Sequence, residues 1–114
     1  MLIEKIILDY LSENLDVDVY MEMPERPSSQ SFVIIEKEGG SKTDKIPTSM
    51  FVFQSYGASL YEAAELNQDV EDALEMMKTL DAISGVQCNA SGYNFTDPET
   101  KQYRYQCVYD ITHY

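Results

Sequence analysis

The chain has a single histidine, His113, next to Tyr114, and that position limits the chemistry it can support. A serine or cysteine nucleophile needs a base within hydrogen-bond reach, and imidazole is the commonest one. Any such base here is His113, on a strand at the end of the sequence, so a small hydrolase is the weakest of three functional readings. Carboxylates are plentiful, but most fall on the outward face of a helix, where solvation explains them. Asp16 and Asp18 share one strand face and could hold a cation, although a charged strand edge that discourages aggregation explains them better. Gly39-Gly40 lacks the further glycines and the Lys-Ser/Thr pair of a phosphate loop and reads as a hairpin loop. Cys88 and Cys107 lie symmetrically about Asp97-Pro98, so a regular hairpin places them opposite each other, as reduced, buried thiols. Zinc wants four ligands, which two cysteines and one histidine do not provide. The sequons at Asn89 and Asn94 read as chance in a chain without a secretory route. The expectation is a protein with no catalysis, no metal and no cofactor.

Charge narrows the partners. Twenty acids against eight bases give a net charge of −12. Binding a phosphate backbone requires a basic face, and this chain cannot supply one of useful size, so nucleic-acid recognition is excluded. The acidity serves solubility, or it forms a wall that repels passing DNA. No apolar run approaches a membrane span. Met1–Ile6 mixes acid and base and has no small-residue cleavage site, so the expected location is the cytoplasm. Nine tyrosines and no tryptophan suit interfaces, because the ring buries area while the hydroxyl tolerates water. Tyr103, Tyr105 and Tyr109 share one strand face, which either packs beneath a helix or is exposed for contact.

The elements that position these residues read as one domain over residues 1–114. Leu2, Ile3, Ile6, Ile7, Tyr10 and Leu11 have helical spacing, with a stop near Asn14. Val17, Val19, Met21 and Met23 alternate as a strand ended by Pro24, and residues 24–30 have loop composition. Phe32–Ile35 starts a second strand that emerges through Glu36–Glu38 into a polar, flexible loop at 39–45. A third strand covers about 48–56. Ser59 and Glu62 form a capping box for a helix running to about Leu80, with Leu66, Val70, Ala73 and Met77 facing inward. Strands at about 86–95 and 101–113 flank residues 96–100. The order α-β-β-β-α-β-β predicts an α+β fold, a curved mixed or antiparallel sheet of about five strands against two helices.

Two segments of this pattern resemble a known family. Gln54-Ser55-Tyr56-Gly57-Ala58-Ser59, continuing through Glu62–Asn67 and Val70–Leu74, is similar to the strand-to-helix segment of siphophage tail-terminator and tail-to-head joining proteins. Gly92-Tyr93-Asn94-Phe95, an acidic turn and Tyr103-Arg104-Tyr105-Gln106 fit the family's closing hairpin, and the element order fits along most of the chain. The resemblance implies a ring, commonly hexameric, that caps the tail tube and offers a docking face to the head-tail connector protein. It implies self, the tube protein and the connector as partners, no catalytic residue or cofactor, and passage from the host bacterial cytoplasm to the virion neck. An acidic lumen would then face DNA. The family carries no strict contact motif, so the candidate interface comes from the polar loops at 24–31 and 39–47 and the tyrosine strand: Arg26, Pro27, Ser28, Gly39, Gly40, Lys42, Asp44, Tyr103 and Tyr105. The alternative function is a small cytoplasmic adaptor that binds another protein as a monomer or dimer.

Overall fold

Helix α1 spans Ile3–Asn14 in the computed structural model, which describes residues 2–43 and 46–114. Its apolar spacing puts Ile3, Ile7 and Leu11 on one buried stripe. Asn14 closes it, its side-chain amide donating to the Tyr10 carbonyl at 2.8 Å. Three strands follow, β1 (Asp18–Tyr20), β2 (Phe32–Thr43) and β3 (Ile46–Tyr56). Ser59 then caps α2 (Leu60–Met76), its hydroxyl accepting the Glu62 amide at 3.1 Å. A 3-10 turn, Met77–Thr79, continues α2, and β4 (Ile83–Asn94) and β5 (Arg104–His113) complete the order α-β-β-β-α-β-β.

The strands form one open mixed sheet in the order β1-β2-β3-β5-β4. β1 runs parallel to β2, and the other pairs are antiparallel. Twelve-residue strands at ~3.3 Å per residue run roughly 40 Å, which accounts for the 43 Å long axis against 24 Å in the other two directions. Both helices lie on one face. The stripe of α1 and Leu66, Val70 and Leu74 of α2 meet Val33, Ile35, Phe51, Phe53, Cys107 and Ile111 in a single core. Each such side chain contributes roughly 1.5–3 kcal/mol by leaving water. The other face carries a smaller cluster of Phe32, Ile34 and Tyr56, with Tyr20 against it. Among the described residues no helix covers that face.

The α+β class and its order are as expected, but several boundaries differ. β1 ends at Tyr20, and Met21 and Met23 are exposed at 47% each rather than half-buried in a longer strand. β1 has only Phe32–Ile34 to pair with, and the chain departs once that parallel stretch is used. Ala73 is half-buried at the margin of the core, whereas Leu66, Val70 and Met77 are buried as expected. Gly39-Gly40 is not a hairpin loop. The ladder continues through Gly39↔Met50 and Gly40↔Ser49 to Thr43↔Ile46, with a bulge between Lys37 and Gly39. A Cβ on Gly40 would stand 2.8 Å from the Thr48 carbonyl oxygen, so this rung needs glycine for close backbone approach.

The cysteine register also differs. Cys88 faces Tyr109, not Cys107, because β4 shifts register between Cys88 and Ala90 and again between Ala90 and Tyr93. Extra residues in one strand defeat an argument from equal distance to the turn. Cys88 is exposed and Cys107 buried. Burial, then the nearby Glu71 carboxylate, pushes the Cys107 thiol well above its ordinary value.

Candidate functional site

The polar segment before β2 is tied to the sheet rather than free. Ser28 donates to the Asp18 carboxylate, and the Ser31 amide donates to Ser29 Oγ at 3.2 Å. Pro27 and Ser28 thereby line a cleft of about 580 Å³ together with Phe32, Tyr56, Lys101 and Tyr103. Phe32 and Tyr56 stack there, their ring centroids 4.6 Å apart. Arg104 fixes the margin. Its guanidinium donates to the Tyr56 hydroxyl at 3.0 Å and the Phe95 carbonyl at 2.7 Å, and lies 4.8 Å from the Phe95 ring centroid. Lys101 has a left-handed φ of 55°, held by its amide donating to the Asp97 carbonyl at 2.9 Å. The Glu99 amide, first among several donors, holds the Asp97 carboxyl below the usual carboxylate range.

The predicted contact residues thus separate into groups. Pro27, Ser28 and Tyr103 meet in this cleft, and Arg26 is exposed beside it. Tyr105 is half-buried opposite Ser55, on the sheet face that carries the helices. Tyr109, two residues on, is buried in the core, so the tyrosine face packs beneath α2 and is not an exposed contact strip. Its ring lies edge-on to Phe53, centroids 6.4 Å apart. Gly39 and Gly40 are exposed at the far end of β2. Seven residues of strand from Phe32 to Gly39, roughly 23 Å, separate them from the cleft. Lys42 lies on that same end of β2, and Asp44 lies outside the described residues.

His113 does meet a serine, its Nε2 lying 3.0 Å from Ser49 Oγ. Ser49 is only 2% exposed, and the Thr48 and Thr112 hydroxyls make a parallel bond of 3.2 Å on the opposite face. These are cross-strand bonds that finish the sheet. Ser49 and His113 also border a cleft of about 740 Å³, together with Gly40 and Pro47, at the far end of β2.

A polar knot that the sequence reading did not single out joins α2 to β4. Glu71 is buried and accepts four donors: Asn67 Nδ2 at 2.7 Å, the Tyr109 hydroxyl at 2.9 Å, the Gly92 amide at 3.0 Å and Ser91 Oγ at 3.1 Å. The β4 bulges deliver Ser91 and Gly92 to it. Burial first, and then the bond to Glu71, pushes the Tyr109 phenol far above its ordinary value. A Cβ on Gly92 would run into the side-chain amide of the buried Asn67, so glycine here lets β4 approach the helix without displacing it. Glu71 is one turn from Asn67 and points inward while its acidic neighbours point out; that break in the charge pattern was the available signal. The knot is structural, since each donor is already committed.

No group of three or more metal-ligating side chains that could hold an ion occurs among the described residues. No helix of the described residues is long and apolar enough to cross a membrane. Neither a family model nor a curated protein matches this chain.

Proposed function

We propose that the chain is a structural, non-catalytic protein of siphophage morphogenesis, assembling into a ring that caps the tail tube and joins it to the head connector. The observation that carries this reading is the β2–β3 arm. β1 covers β2 only at Phe32–Ile34, and β5 reaches β3 only as far as Thr48, so among the described residues the rungs Lys42↔Pro47 and Thr43↔Ile46 have two strands and no third. An isolated two-stranded ribbon is marginally stable in water, and a monomer gains little from extending one. The arm makes sense as a contact. The α+β order and the two segments that resemble tail terminators support the same reading. In a ring of about six copies the acids would face the lumen in part, where like charge keeps DNA from adhering. The protein then works in the host cytoplasm during assembly and remains in the virion neck. A phage lacking Ser41–Asp44 of this chain tests it: tails should be overlong and headless in electron micrographs. Normal tail lengths with heads attached would exclude the arm as an essential contact.

The cleft floored by Phe32 and Tyr56 favours a second reading, an adaptor that receives an extended segment of another protein as a monomer or dimer. The two readings part on stoichiometry, since the adaptor forms no ring on tube ends.

A further inference from the structure

The cleft floored by Phe32 and Tyr56 is an electrostatic exception in this chain. Acids outnumber bases 20 to 8, yet among the described residues no carboxylate lines this cleft, and the charged residue in its wall is Lys101. Arg104 stands at the margin; it donates to the Tyr56 hydroxyl and the Phe95 carbonyl and keeps further N–H groups for a ligand. The neighbouring carboxylates are taken up locally. Asp18 accepts the hydroxyls of Tyr20 and Ser28, and Asp97 accepts the Glu99 amide, while Glu99 itself is exposed outside the wall. Other clefts carry acid in their walls, Glu38 at the far end of β2 and Asp16, Asp69 and Asp72 where the helices meet. Two copies with a net charge of −12 each repel overall, so a contact between copies needs an acid-free patch such as this one.

An element that fits the cleft adjoins it in sequence. Met21-Glu22-Met23-Pro24-Glu25 holds two acids and no base, and its two methionines are each 47% exposed. The segment lies outside any helix or strand, with Glu22 and Glu25 exposed. Thioether side chains pack well against aromatic rings, and Tyr103 presents one at the cleft, 38% exposed. The segment has no route into the cleft of its own copy. Tyr20 is fixed in β1, and Arg26 alone separates Glu25 from the wall residue Pro27, whose neighbour Ser28 is bound to Asp18. Reversing the chain takes about four residues.

We infer that two copies exchange these segments, Met21–Glu25 of each seating in the cleft of the other, with Glu22 and Glu25 facing Lys101 and Arg104. Segment and cleft adjoin on each copy, so one twofold axis satisfies both contacts and association closes at a dimer. The contact goes beyond the ring, which needs a different, head-to-tail surface.

Sedimentation velocity on the full chain tests it with Glu22→Lys/Glu25→Lys and Lys101→Glu. All three side chains are exposed, and circular dichroism confirms that each variant is folded. The parent should form a concentration-dependent dimer. Each variant alone should associate at least about tenfold more weakly, because like charges then face each other. Mixed one to one, the two should recover parent-like association, since a basic segment then meets an acidic cleft and an acidic segment a basic one. Met21→Ser/Met23→Ser, which leaves every charge in place, should also weaken the dimer about tenfold. A parent that stays monomeric, parent-like association of any variant alone, or no recovery in the mixture would overturn the exchange. A chain that never dimerises yet caps tubes would overturn it too, while leaving the ring intact.

Discussion

Replacing Glu71 by alanine should be among the most damaging single changes to this fold. The carboxylate serves four donors, and two of its bonds, from Asn67 and Tyr109, are buried. A hydrogen bond to a charged acceptor is worth about 1.5–3 kcal/mol net, and an orphaned buried donor costs about 1–3 kcal/mol. Burying the carboxylate carries its own desolvation cost, which offsets part of the gain, so the loss expected for Glu71→Ala is ~3–5 kcal/mol. For a domain of this size that corresponds to a fall in Tm of roughly 12–20 °C. Glu71→Gln can keep its one oxygen on the Asn67 and Gly92 donors and turn its amide toward the Tyr109 and Ser91 hydroxyls, which can accept, so it should lose about half as much. Urea denaturation followed by circular dichroism measures both. Coupling of Glu71→Ala with Tyr109→Phe should reach ~1 kcal/mol or more, because the two share a bond. A Glu71→Ala protein that melts within ~3 °C of the parent would refute the claim that this knot ties α2 to β4.

Three further changes test other parts of the account. Val70 is fully buried in α2, and Val70→Asp both loses roughly 1.5–3 kcal/mol of burial and strands an unpaired carboxyl; the variant should show no cooperative melt, and a parent-like melt would sink the packing of α2. Gly92→Ala places a methyl against the Asn67 side-chain amide and should cost ~1–3 kcal/mol; the loss should shrink when Asn67→Ala clears the space, and strict additivity in chemical denaturation would contradict the contact. Cys107 and Tyr109 are held neutral by burial and by Glu71, above their ordinary values of 9.0 and 10.0. A group whose folded pKa is raised gives stability below its unfolded pKa and loses it as pH rises toward the folded one, so Tm should fall from about pH 9 upward, at up to ~1.4 kcal/mol per pH unit per group. A flat Tm between pH 8 and 11 would contradict this.

What the sequence revealed and what it hid follow from the range of each signal. The stripe of Ile3, Ile7 and Leu11 and the Ser59 cap depend on residues three or four apart, and both elements formed where that spacing placed them. Strand ends depend on partners far along the chain. Met21 and Met23 alternate like a strand, yet β2 offers β1 only three residues. Gly39-Gly40 looks like a turn, but β3 continues opposite it as far as Ile46. The bulges of β4 are set by Glu71 drawing Ser91 and Gly92 toward α2, a tertiary demand that no count from the turn could foresee. That is why Cys88 met Tyr109 instead of Cys107. Of the candidate contact residues, Pro27, Ser28 and Tyr103 came together because the segment before β2 and the entry to β5 converge over Phe32 and Tyr56. Tyr105 did not join them, because strand parity turned it toward the helices.

The central claim, that this chain caps a tail tube as a ring, is tested most directly by electron microscopy of the purified chain added to polymerising siphophage tail-tube protein. The account predicts rings of density at tube ends and tubes that stop lengthening once the chain is present. Tubes that grow at an unchanged rate, with bare ends and the chain free in solution, would contradict it.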